Sequence, residues 1–187
     1  MSKFKLMKQL IIYFYIASAF LLSDNVYHIP IEGTIDLGLP PYIERSIKEA
    51  ETNNAVSIIF TINTFGGRVD AATQIKDAIL NSKVPTVAFI NKRAISAGAL
   101  ISLSCEKIYM TGGATIGATT AVDMSGKKAS EKVISYMREE MASTAEKRGR
   151  NKHIARGMVD EELEFPSKVK NEYIKSCLLY TSDAADE

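Results

Sequence analysis

Tryptophan is missing from the 187-residue chain, and cysteine and histidine occur only twice each. Two cysteines, Cys105 and Cys177, are too few for a disulfide framework, and neither sits in a C-x-x-C pair of the kind that holds zinc or does redox work. Cys105 is expected to be structural, because a free cysteine generally behaves as a small buried hydrophobe. An excess of one charge is lacking too. The 23 Lys and Arg against 22 Asp and Glu leave +1, so no chain-wide basic field points to nucleic acid or to an anionic membrane surface. Neither G-x-G-x-x-G nor G-x-x-x-x-G-K-[ST] occurs, which leaves phosphate cradling of the familiar kinds unsupported, and the chemistry is expected to need no metal or cofactor.

What is present is ordinary globular usage, 46% apolar and 24% charged, in a length suited to one domain with a real core. Residues 1–23 read as an address. Lys3, Lys5 and Lys8 precede an uncharged stretch from Leu10 to Leu22, short of the ~20 residues that cross a bilayer comfortably and suited to a secretory signal. Ala17-Ser18-Ala19 offers small residues at A-x-A spacing, with an uncleaved anchor or a buried first helix as alternatives. The domain is therefore expected outside the cytoplasm. Removal of residues 1–19 leaves 20 positive and 22 negative side chains, a net −2.

From Val26 onward, short β-rich runs alternate with amphipathic ones, the rhythm of an α/β protein built from βαβ units. Strands are expected at Val26–Ile31, Ala55–Ile62, Pro85–Ile90 and Lys107–Met110, the second covered on both faces because nearly all of it is apolar. Helices are expected from Pro40-Pro41 through Glu51, over Arg68–Leu80, Ser96–Ser104 and Lys127–Arg148, then a short one capped by Asn151. Val133, Tyr136, Met137, Met141 and Ala145 form the apolar stripe of the long helix, and Gly149 supplies its stop. Residues around Gly112-Gly113 and Gly117 read as a turn-rich loop. One domain is expected over 24–176. The tail 177–187, CLLYTSDAADE, breaks the periodicity and resembles translated adapter sequence.

Two strand-to-helix turns carry chemistry. Asn63-Thr64-Phe65-Gly66-Gly67-Arg68 has paired glycines that let a backbone approach closely and turn N–H groups toward a developing oxyanion; a tight βα turn is the plain alternative. Ala94-Ile95-Ser96-Ala97-Gly98-Ala99 puts a serine near the positive end of a helix dipole among small neighbours, where it is either a nucleophile or simply an N-cap. Gly67 and Ser96 stand 29 residues apart on neighbouring strands, so both turns fall at the carboxyl ends of parallel strands, where open α/β sheets place their sites. His28 and His153 both lie away from the stretch that follows the serine, which disfavours a Ser-His-Asp triad. A lysine remains as base. It must be neutral, so its pKa must fall from ~10.4 toward ~7 by burial. Lys127, Lys128 and Lys132 are candidates; Val133 and Ile134 beside Lys132 make it the better one for desolvation, with Lys128 as fallback.

These residues resemble the ClpP/crotonase superfamily, and within it the membrane-associated serine proteases of the NfeD, or stomatin operon partner, type. N-T-F-G-G-R, A-I-S-A-G-A and T-I-G-A are similar to the family's D-T-P-G-G-R, S-A-G or S-A-A, and S-I-G-A, and the likeness continues through Lys132 to Gly149-Arg150-Asn151. The resemblance covers about residues 26–165. It implies a spiral of βαβ units, with Ser96 as nucleophile and Lys132, 17 residues before Gly149 as in the family, as general base and later acid. It also implies an oxyanion hole from the N–H groups of Gly67 and Ala97, and substrate contacts at Gly66 and Phe65. Asn63 replaces the usual acidic residue and Phe65 the usual proline. Implied partners are a peptide or protein substrate with apolar segments, such as the C-terminal region of a stomatin-like protein, and further copies of the chain in a dimer or larger assembly. Rival readings are an inactive scaffold of a stomatin-like membrane complex and a crotonase-type acyl-CoA enzyme.

Overall fold

β-branched residues fill the interior. Ile29, Ile31, Ile35, Ile58, Ile62, Ile75, Ile79 and Ile90 are almost wholly buried around Phe60, as expected where pleated surfaces pack against helices. The computed structural model describes residues 25–122 and 127–160. The leader and the tail of the sequence analysis lie outside them.

The elements run β1 (Val26–Ile35), α1 (Leu39–Thr52), β2 (Ser57–Gly67), α2 (Val69–Leu80), β3 (Thr86–Ile95), α3 (Ala97–Ser104), β4 (Lys107–Met110), β5 (Thr115–Gly117), α4 (Glu131–Lys147) and α5 (Lys152–Gly157). The sheet order is β1-β2-β3-β4, and β5 also pairs with β3. The pairings of these strands are all parallel, and α1, α2 and α3 make the crossovers from β1 through to β4, while a short turn leads from β4 to β5. This is the expected α/β class, a staircase of βαβ units.

Three differences from the sequence reading have physical causes. β2 and β3 run several residues further than the apolar runs suggest, because ladder pairs carry them on: Thr64 opposite Ala94, and Gly66 and Gly67 opposite Thr34 and Ile35. Register shifts in both pairings fall at this end, where bulges re-aim the backbone. Secondly, β2 is buried on one face only. Ile58, Phe60, Ile62 and Thr64 alternate with half-buried Ile59, Thr61 and Asn63, so coverage of both faces is not found among the described residues. Thirdly, α4 starts at Glu131 rather than Lys127. An antiparallel bridge between Val122 and Lys128, and a 2.9 Å bond from Ala129 N–H to Ala121 O, hold residues 127–129 extended. The α4 stripe narrows to Ile134, Met137, Met141 and Ala145, with Val133 and Tyr136 exposed beside it. The expected turn-rich loop also contains β5.

Asn151 does cap α5, its Oδ1 accepting from the His153 and Ile154 N–H groups at 2.9 and 3.4 Å. Next to it, two arginines bind the C-terminal end of α3. Arg148 Nε donates to Ser104 O at 2.7 Å, and Arg150 donates to Leu103 O at 2.9 Å and Glu106 O at 3.0 Å. Carbonyls left over at a helix end are thereby satisfied by cations, which the helix dipole also favours. Cys105 is fully buried beside this clasp, as expected. Burial pushes its thiol up to about 12, despite the nearby Arg150 and Arg148.

Candidate active site

Thr64 joins the two turns. Its hydroxyl accepts from the Gly66 N–H at 2.9 Å and donates to Gly33 O at 2.5 Å, which fixes the glycine turn to the end of β1. Its methyl group lies where a Cβ on Gly98 would fall, 2.6 Å away, so the start of α3 presses onto it. From sequence Thr64 is no more than one letter of the N-T-F-G-G-R motif. Its β-branched character and position before Gly-Gly were the available signal.

Gly66 has φ +109°, a region L side chains rarely adopt, and a Cβ there would meet Ser96 Cβ at 2.7 Å. The glycine therefore lets the first turn lie directly against the serine. A Cβ on Gly67 would come within 2.7 Å of Ile35 N and collide with the rest of that peptide. Phe65, just before the two glycines, is 74% exposed, with the Arg93 guanidinium 4.4 Å from its ring centre. That is a cation–π contact, and it stands where the family pattern has proline. Arg68, next in the turn, grips Asp70 at 2.7 Å; this holds the Asp70 carboxyl below the usual carboxylate range.

Ser96 is no ordinary N-cap. It precedes α3 with φ +54° and ψ −116°, and its side chain makes no capping bond. Such backbone conformations cost of order 1–3 kcal/mol and persist only where the surroundings enforce them. Here a 2.9 Å bond from Ser96 N–H to Gly117 O ties the residue to β5. Among the described residues the Ser96 hydroxyl has no hydrogen-bond partner. Ser96, Gly67 and Ala97 line one cleft with Val69, Ala72, Thr119, Ala121 and Met137. Serine, Gly-Gly turn and helix start thus converge on a single opening, and its remaining walls are small or apolar. Thr119 and Ala121 were not singled out from sequence, since their neighbours gave them no pattern, and Met137 was read only as part of the apolar stripe of α4.

Lys132 does not line the cleft. It occupies the first turn of α4 and is exposed, so the expected withdrawal of its amine from water is absent in the isolated chain. The apolar neighbours that suggested burial divide between two fates, Ile134 facing the core and Val133 facing out. Lys128 is exposed as well. Among the described residues no group of three or more His, Cys, Asp or Glu side chains could hold a metal, and no helix is long and apolar enough to cross a membrane.

A parallel staircase whose strand ends bring a serine onto a Gly-Gly turn defines the ClpP-like class of folds. ClpP1 from Listeria monocytogenes shares it at a TM-score of 0.58 and 23% identity, over 74% of this chain and 80% of that one. Residues 25–186 match the family described as NfeD1b, N-terminal domain, and the chain belongs to that family. The membrane protein NfeD1b of Bacillus subtilis is 40% identical over 142 residues, 76% of this chain and 32% of that protein. The membrane-bound protease PH1510 of Pyrococcus horikoshii is 31% identical over 167 residues, 85% of this chain and 38% of that one. The chain thus spans about a third of the length of these relatives. Solved structures of a 1510-N membrane-bound stomatin-specific protease are similar to it in shape. A lysine-to-alanine variant in complex with a substrate peptide gives a TM-score of 0.71 at 30% identity, over 82% of this chain and 74% of that one. A serine-to-alanine variant gives 0.69 at 32% identity, over 76% and 73%.

Proposed function

We propose that this domain, over about residues 24–176, is a serine endopeptidase with Ser96 as nucleophile and Lys132 as base. The observation that carries the reading is Ser96 itself, held at positive φ without a capping bond in one cleft with Gly67 and Ala97. In the reaction the neutral Lys132 amine takes the Ser96 hydroxyl proton while Oγ bonds to the scissile carbonyl carbon. The carbonyl π pair moves onto oxygen, which the Gly67 and Ala97 N–H groups receive. Collapse breaks the C–N bond, the Lys132 proton goes to the leaving nitrogen, and water hydrolyses the acyl-enzyme by the same steps.

The small and apolar cleft walls suit a substrate strand with apolar side chains, and Gly66 and Phe65 would border it. The similar 1510-N membrane protease is named as specific for a stomatin homologue, which supports a stomatin-like protein as substrate here and a membrane-associated setting; the extracytoplasmic side is proposed on the signal-like residues 1–23 alone. Seating of that strand, or of a second copy in a homodimer or larger assembly, is what removes water from Lys132.

Ser96→Ala is expected to abolish labelling by a fluorophosphonate probe and hydrolysis of a quenched-fluorescence peptide rich in Leu, Val and Ile, with thermal stability retained. Lys132→Ala should lose the hydrolysis as well. Full activity in either variant refutes the assignment. The exposure of Lys132 favours a second reading, a non-catalytic groove that binds peptide within a membrane complex. Peptide binding by a wild-type protein that the probe never labels would establish it.

A further inference from the structure

The cleft holds a polar group that the scheme above leaves idle. Thr119 is 1% exposed, and its Oγ1 is buried with no hydrogen-bond partner among the described residues. It lines the same cleft as Ser96, Gly67 and Ala97. A buried hydroxyl left unsatisfied costs about 1–3 kcal/mol, and such groups are rare. The position is firmly held. Thr119 N–H donates to Met158 O at 2.8 Å, Thr120 Oγ1 donates to Val159 O at 2.9 Å, and Gly117, two residues earlier, accepts from the Ser96 N–H. One short segment therefore carries both the acceptor that fixes the serine backbone and the orphaned hydroxyl beside it.

We propose that Thr119 is a positioning residue for the base, its Oγ1 accepting a hydrogen bond from the lysine amine when that amine enters the cleft. The proposal rests on the peptidase reading. A neutral amine has one lone pair and two N–H groups. To deprotonate Ser96 the lone pair must point at Oγ, and an acceptor for one N–H fixes that orientation. A threonine hydroxyl has two lone pairs to offer. It serves equally once the amine has become an ammonium, so the partner need not change during the proton transfer. The apolar walls of Val69, Ala72, Ala121 and Met137 offer no side-chain acceptor in its place.

The test uses the full chain and a fluorophosphonate probe, with the maximal labelling rate and the probe concentration at half-maximal rate measured separately. Thr119→Val keeps the shape and removes the hydroxyl. It is expected to slow maximal labelling about tenfold or more, with the half-maximal concentration and melting temperature unchanged, and Thr119→Ser is expected to restore the rate. Unslowed labelling in Thr119→Val overturns the proposal. So does failure of Thr119→Ser to recover, which would make the methyl group the relevant part, or a change confined to the half-maximal concentration, which would make the hydroxyl a ligand contact. If Thr119→Val does not fold, the Thr119→Ala and Thr119→Ser pair supplies the same comparison. A wild type that the probe never labels, or a Ser96→Ala variant that it does label, overturns the peptidase reading instead.

Discussion

At Gly66 a single hydrogen stands between two loops. Any Cβ there meets Ser96 Cβ at 2.7 Å, and the backbone has φ +109°, so substitution is opposed both by collision and by conformation. Gly66→Ala is expected to push the serine out of its cleft. Probe labelling should fall by at least about tenfold while the protein still folds, since strain of this kind costs about 1–3 kcal/mol, less than a domain's usual stability. Labelling at the wild-type rate would show that the two loops can part without consequence. Thr64 works at the same scale. One hydroxyl and one methyl group serve both turns, which no reading of either motif alone reveals.

Between elements, the link from α2 to α4 is polar at its centre. Lys76 is nearly buried, and Glu140 receives its amine at 2.7 Å with Asp77 at 2.9 Å. Burial pulls the amine down, but the bonds to Glu140 and Asp77 outweigh it and leave the amine above its ordinary value. Glu140→Gln should therefore destabilise the domain by about 1–3 kcal/mol, read as a lower denaturant midpoint with an unchanged slope. No change would mean that Asp77 suffices. At this scale much was legible: the apolar periodicity placed α1, α2 and α4, and the β-rich runs placed β1 to β4. What was not legible came from tertiary pairing. β5 has only three residues, too few for any period, and the strands' last turns contain glycine and polar residues that become strand only because neighbouring strands hold them. The serine and glycine turns were readable as letters because backbone demands dictate residue type there. Lys132 was not, because the burial of a helix-end lysine depends on what covers it.

Across the whole molecule, alkaline stability should bear the mark of Cys105. Its folded-state pKa of about 12 lies above the ordinary value of 9.0 because burial disfavours the thiolate. Below the ordinary value both states are protonated and the group's contribution is complete. As pH climbs from about 9 toward 12 the unfolded chain alone ionises, and stability is lost. Wild type should therefore lose melting temperature over that interval faster than Cys105→Ala, and equal slopes would contradict a sealed thiol. The clasp of Arg148 and Arg150 on α3 has its own consequence. The helix that begins just after the serine is moored at its far end by the stretch between α4 and α5. Mild heating that loosens this mooring should silence the protein before the sheet melts, so inactivation would run ahead of the loss of circular dichroism.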